Sequence, residues 1–157
     1  MITVRTPFRV SLFGGGTDYP SWYKKNKALV IGGSINKYCF IHVRKLTKIF
    51  KYNYRLRYYS TEETVDIKKI KHGPYREALK YFNFKHTNVE IVHTADLPAL
   101  SGLGASSSST VCIVHALSTL KNLKLSKKKI AKIALNIEQK KLEESVGSQD
   151  QILAAYG

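Results

Sequence analysis

The chain has 157 residues, 43% of them hydrophobic, which suffices for one domain with its own core. Its formal charge of +15 invites a polyanionic partner. No apolar run is long enough to cross a bilayer, Met1-Ile2-Thr3-Val4 leads straight into Arg5 and Pro7 without a secretory leader, and Cys39 and Cys112 lack disulfide or metal-ligand spacing. A cytoplasmic protein with no membrane partner is expected, its two thiols serving as small core residues.

Thr3–Phe13 reads as a strand interrupted by Pro7, hence an edge or bulged one. Phe8, Val10 and Leu12 alternate there with Arg9 and Ser11. Gly14-Gly15-Gly16 breaks the strand, and Asp18–Tyr23 begins a short helical turn. Ala28–Ile35 and Tyr38–Leu46 read as consecutive strands separated by Asn36-Lys37. In the second, Cys39, Ile41 and Val43 alternate with Tyr38, Phe40 and His42, so His42 is expected to be a half-exposed strand residue. The aromatic, basic segment Tyr52–Tyr59 predicts another strand, and Ser60–Ile70 a connection with a short strand at Thr64–Ile67. Pro74 suits a helix start, with Ala78, Leu79, Tyr81 and Phe82 on its apolar side. Asn88–Thr94 predicts the strand that feeds the next stretch.

That stretch, Leu97–Thr110, carries the strongest signal. Gly102 and Gly104 permit a tight turn and close approach of a ligand. The serines after them suit the first turn of a helix whose Val111, Ile113, Val114 and Leu117 leave little of it facing water. A glycine-rich loop opening a buried helix presents free N–H groups and the positive dipole end to one spot, which is an anion site. No Gly-Lys-Ser/Thr follows, so it is not a Walker A loop. Ser126 caps a further helix with Ile130, Ile133, Ala134 and Ile137 in one stripe. Lys127, Lys128 and Lys129 crowd its first turn, against the dipole. Glu138 closes the stripe, and Gly147-Ser148-Gln149-Asp150-Gln151 forms a small loop before Ile152–Tyr156. A helix-borne Glu and a loop Asp facing a phosphate loop suit metal-assisted phosphoryl transfer. Taken singly, these features are no more than a serine-rich helix start and surface carboxylates.

Together they resemble the GHMP kinases. Leu97–Ser107 resembles that family's Pro-x-x-x-Gly-Leu-Gly-Ser-Ser loop, with Leu100 where many members have glycine and Ala105 in place of the first serine. Pro7, Arg9, Val10, Leu12, Gly14, Thr17, Asp18 and Tyr19 agree with the first motif of galactokinase-like members. Glu138 with Gly147–Gln151 resembles their Glu…Gly-x-x-Asp-Gln element. The wording is most similar to the sugar-kinase branch containing heptose 7-phosphate kinases, and a galactokinase-like enzyme is the alternative.

The resemblance implies an α+β fold like the second domain of ribosomal protein S5, a mixed sheet with helices packed on one face. It implies transfer of the γ-phosphoryl of ATP to a sugar hydroxyl, anomeric in a heptose 7-phosphate. Gly102, Leu103, Gly104, Ala105, Ser106 and Ser107 would cradle the phosphates. Ser106 and Glu138 would hold Mg2+, Asp150 would orient or deprotonate the hydroxyl beside Arg9, and Gly16, Thr17 and Asp18 would bind the sugar or sugar phosphate. Residues 1–157 would form the ATP-binding N-terminal domain, lacking the family's C-terminal half with its third glycine motif. That half would be the missing partner, its absence leaving these residues inactive and open to self-association. A basic nucleic-acid module without catalysis is the other class of reading. It ranks well behind the kinase, because a polyanion binder has no use for Asp18, Glu138 and Asp150 at its anion site.

Overall fold

Alternating apolar side chains on two long strands and three shorter ones give a five-stranded sheet, in the order β1-β2-β5-β3-β4. The computed structural model describes residues Met1–Gly157 throughout. β1 (Ile2–Phe13) pairs antiparallel with β2 (Ile31–Lys45), which pairs antiparallel with β5 (Val89–Ala95). β3 (Tyr54–Arg57) runs parallel to β5 and antiparallel to β4 (Thr61–Thr64). The sheet is therefore mixed, as the resemblance implied.

Two sequence expectations need correction. Ala28–Ile35 and Tyr38–Leu46 are not separate strands, because β2 runs through Asn36-Lys37 without a turn. Between the pairs Pro7↔Tyr38 and Arg9↔Ser34 the register shifts. The strand absorbs the extra residues as an irregularity beside Pro7, whose missing N–H makes the ladder easy to open there. The short strand expected at Thr64–Ile67 lies instead at Thr61–Thr64. Asp66 ends it by capping a 3₁₀ turn (Ile67–Lys69), its Oδ1 accepting from the Lys68 amide at 2.9 Å.

The helices that follow cover one face. After α1 (Pro20–Tyr23), a single turn, come α2 (Gly73–Tyr81), α3 (Ala105–Leu120), α4 (Lys127–Asn136) and α5 (Gln149–Tyr156). Ile41, Val43, Leu56 and Ile91 of the sheet meet Ile113 and Leu117 of α3 and Leu79 of α2 in one core. Full burial of each such side chain favours folding by about 1.5–3 kcal/mol. The α4 stripe of Ile130, Ile133 and Ala134 is buried too, continuing into Ile137. Cys39 and Cys112 are both fully buried and unoxidised, as expected of core thiols. No helix is long and apolar enough to cross a membrane.

Two local features position the site. The buried serines of α3 tie its first turns to β1: Thr6 Oγ1 donates to the Ser108 carbonyl at 2.8 Å, and Ser108 Oγ to the Pro7 carbonyl at 2.9 Å. Tyr75 OH and Ser109 Oγ share a hydrogen bond of 2.7 Å from the α2 side. At the far end, Ser126 caps α4 by accepting from the Lys129 amide at 3.3 Å. Part of the lysine-rich first turn now has a physical reason, since Lys127 Nζ donates to the Tyr156 carbonyl at 2.7 Å. It serves the negative end of α5, where a cation is favourable. α4 then passes into a π turn (Ile137–Lys141). Such turns re-aim side chains, and here Glu138 is driven inward.

Candidate active site

The loop before α3 turns on two residues in the left-handed region, Gly102 at φ +74° and Gly104 at φ +76°. Gly104 is the N-cap of α3, and no side chain caps that end. The first amides of α3 therefore stay free for an anion at the positive dipole end. β1 fastens the loop from below: the Arg9 amide donates to the Leu103 carbonyl at 3.1 Å, and Arg9 Nη1 to the Gly102 carbonyl at 2.8 Å. Leu100 also has a positive φ, +62°, with its side chain fully in solvent. This is the position where the resembled loop often has glycine, and the backbone conformation explains that preference.

Arg9 also reaches Asp150. Its Nε donates to Oδ1 at 2.6 Å and its Nη2 to Oδ2 at 2.7 Å, a bidentate pair. Gly104 abuts this pair so closely that a Cβ there would lie 3.1 Å from Arg9 Cγ and 3.3 Å from Asp150 Oδ2. Glycine loop, arginine and aspartate thus form one contiguous unit. Asp150 sits in the first turn of α5 and not in a loop, because α5 begins at Gln149.

Asp18 fixes where α5 begins. Its Oδ2 accepts from the amides of Ser148 at 2.7 Å and Gln149 at 2.9 Å, and its Oδ1 from the Gly16 amide at 3.2 Å. A nearly buried carboxylate at a helix N-terminus is favoured by both the amides and the dipole. Thr17 Oγ1 donates to the Gly14 carbonyl at 2.8 Å, closing the glycine turn that delivers Asp18. Arg9, Asp18, Tyr19, Ser107, Gln149 and Asp150 all line one cavity of about 120 Å³.

Glu138 lies in the π turn behind Ser107 and Gln151, two of the residues that line this cavity, and is 0% exposed. Its Oε2 accepts from Ser107 Oγ at 3.1 Å and from Gln151 Nε2, whereas Oε1 is buried with no partner. Burial pushes its carboxyl above the usual range, and the Gln151 and Ser107 hydrogen bonds draw it back, while the Thr110 hydroxyl donates to the Ser106 carbonyl at 3.2 Å. A buried carboxylate with an unpartnered oxygen and no ion pair fits a bound cation, and hard oxygen donors suit Mg2+. The hydroxyl on Glu138 is that of Ser107. Ser106, the sequence candidate for this role, is exposed and lines a different cavity.

That second cavity, about 220 Å³, lies on the other side of the loop among Tyr58, Tyr59, His72, His93, Leu97 and Ser106. His72 stacks on Tyr75 at 3.7 Å between ring centroids, and its Nδ1 is buried without a partner. Burial, with His93 nearby, holds its pKa down at about 4, so the ring is neutral. Sequence reading missed His72 and His93, because both sit on ordinary strand or helix-start positions that carry no spacing signal. Gln151 was visible only as part of a motif, with no role of its own.

A mixed sheet backed by helices, with a glycine loop, an Arg–Asp pair and a buried Glu linked through Ser107 and Gln151, defines an α+β domain with a candidate anion site. Residues 70–157 match the GHMP kinases N terminal domain, and the chain belongs to this family. It is 33% identical to the D-glycero-alpha-D-manno-heptose 7-phosphate kinase of Campylobacter jejuni, over 99% of this chain and 48% of that protein. It is 29% identical to the galactokinase of Pyrococcus furiosus, over 99% of this chain and 44% of the galactokinase. The crystal structure of a D-glycero-D-manno-heptose 1-phosphate kinase from Bacteroides thetaiotaomicron superposes with a TM-score of 0.87 at 25% identity, covering 100% of this chain and 54% of that one. The chain thus spans about half the length of the relatives it matches.

Proposed function

We propose that these residues form the ATP-binding half of a sugar kinase that transfers the γ-phosphoryl group to a sugar hydroxyl, the anomeric one of a heptose 7-phosphate. The observation that supports this most is the contact of Gly104 with the Arg9–Asp150 pair, because a turn with free amides then lies against a fixed carboxylate. Gly102–Ser107 bind the phosphates through free amides. Asp150, held in one orientation by Arg9, aligns the attacking hydroxyl and accepts its proton. Glu138 and Ser107 would hold Mg2+, which neutralises charge on the phosphates when bound. The sugar lies against Gly16, Thr17 and Asp18, with Asp18 acting chiefly by anchoring the turn that carries Asp150. The aromatic cavity beyond Ser106 would take the nucleotide base between its tyrosine and histidine rings. Phosphoryl transfer relies on positioning in a site that excludes water. Residues 1–157 alone are therefore expected to bind Mg-ATP weakly and to show no sugar-dependent turnover.

The test uses a complete kinase carrying this half. Asp150→Asn keeps the shape but cannot take a proton, so kcat should fall about 10²–10⁴-fold with little change in ATP affinity. An unchanged kcat removes Asp150 from the chemistry. A panel of heptose 7-phosphate, heptose 1-phosphate and galactose then decides the acceptor.

A further inference from the structure

Gln151 has no part in the scheme above, yet it is the residue that holds Glu138. It is 0% exposed and lies one position beyond Asp150, in the first turns of α5. Its Nε2 donates to Glu138 Oε2 and, at 3.0 Å, to Ser107 Oγ. Ser107 Oγ donates in turn to the same Oε2 at 3.1 Å. A closed triangle from α5, α3 and the π turn thus grips one oxygen of the carboxylate. The other oxygen, Glu138 Oε1, is buried and unpartnered, and so is Gln151 Oε1.

No lysine, arginine or histidine forms an ion pair with Glu138, although the chain carries 26 lysines and arginines. A buried anion left without a cation is costly, so neutral donors alone are a poor solution for stability. They are a good solution for a ligand. A cationic side chain here would occupy the carboxylate, whereas an amide orients it and leaves one oxygen open. Two donors on Oε2 fix the plane of the group and so dictate where Oε1 points. Second contacts of this kind ordinarily set ligand orientation at metal sites. They also couple the two carboxylates, because Asp150 and Gln151 are neighbours on a helix whose start Asp18 fixes.

We propose that Gln151 is a positioning residue: its amide holds the Glu138 carboxylate in one orientation, with Oε1 reserved for the divalent cation that accompanies ATP. This rests on the kinase-half reading. It assigns to Gln151 the metal affinity of the site, and predicts that a donor, not merely a side chain of this size, is required.

The test measures Mn2+ affinity of a complete kinase carrying this half, in the presence of ATP, by electron paramagnetic resonance. Gln151→Met keeps the volume without the donor, and Gln151→Glu keeps the shape while adding a second acceptor. Thermal unfolding establishes that each variant is folded. Both should weaken Mn2+ binding about 10–100-fold. In a Glu138→Gln background, Gln151→Met should change it no further. Mn2+ affinity unaltered in both folded variants, or additive loss in the Glu138→Gln background, overturns the inference and leaves the kinase reading intact. No Mn-ATP binding by the wild-type complete kinase overturns that reading and the inference with it. A readout independent of nucleotide protects against variants that fail to fold. In the wild-type chain, the Gln151 side-chain NH2 should exchange slowly and shift strongly on Glu138→Gln. A fast-exchanging, unshifted amide is incompatible with the proposed grip.

Discussion

Two glycine turns frame the candidate site, and they need glycine for different reasons. In the turn before α3, Gly102 and Gly104 have φ of +74° and +76°, and a Cβ on Gly102 would meet nothing within 4 Å. There the backbone conformation is the constraint. In the turn before α5, Gly147 has no positive φ, but a Cβ would sit 2.0 Å from Asp18 Oδ2 and 2.7 Å from Oδ1. There the constraint is space, taken up by a carboxylate that caps the helix. Strain in a backbone dihedral can be met locally, whereas a blocked cap displaces everything that the helix carries. The comparison therefore predicts that the second turn, with no unusual dihedral, is the more fragile.

The largest effect should follow Gly147→Ala. The added methyl cannot coexist with Asp18 in place, so destabilisation of about 3 kcal/mol is expected, at the upper end for overpacking. Loss of the α5 cap should displace Asp150 and depress ATP binding as well. Denaturant unfolding of the single and double variants sharpens the point. In an Asp18→Ala background, Gly147→Ala should cost far less, because the obstruction is gone. Full additivity of the two changes would show that Gly147 serves something other than the approach of Asp18.

Gly104→Ala should come next, combining a left-handed alanine with crowding of Arg9 and Asp150. Gly102→Ala carries only the conformational cost, about 1 kcal/mol. The two differ most in function: calorimetry with Mg-ATP should show the greater affinity loss for Gly104. Equal losses would mean that Gly104 matters only through its φ. The smallest effect, opposite in sign, is expected for Leu100→Gly. Leu100 holds φ +62° with its side chain in water, so relieving it should raise stability by up to about 1 kcal/mol. A fall in stability would mean that Leu100 makes an apolar contact in solution that offsets its strain.

Much of this site was legible because its parts are local. A glycine turn before an apolar helix, the Pro7–Tyr19 run and the Glu138…Asp150 spacing each carry their meaning within a few residues, and their order along the chain matched a family. The elements went astray where long-range pairing overrode local signals. Asn36-Lys37 reads as a turn, but β1 lies alongside and keeps β2 extended through an irregular register. Asp66 reads as strand-side, but its own side chain closes a turn onto Lys68.

By itself the sequence determined the order of elements, the glycine turn before α3, the α3 and α4 apolar stripes and the identity of the three carboxylates. Each of these follows from dihedral preference or hydrophobic period, properties of neighbouring residues. Only the tertiary structure decided what the carboxylates do to one another's surroundings. It spends Asp18 on capping a helix 130 residues away in sequence, locks Asp150 to Arg9, and sets Ser107 and Gln151 on Glu138. It also placed His72 and Tyr58 beside the loop to build a cavity from segments with no shared pattern. Hydrogen bonds and burial depend on which backbones come together, and folding the sheet brings together strands and helices that no spacing rule connects.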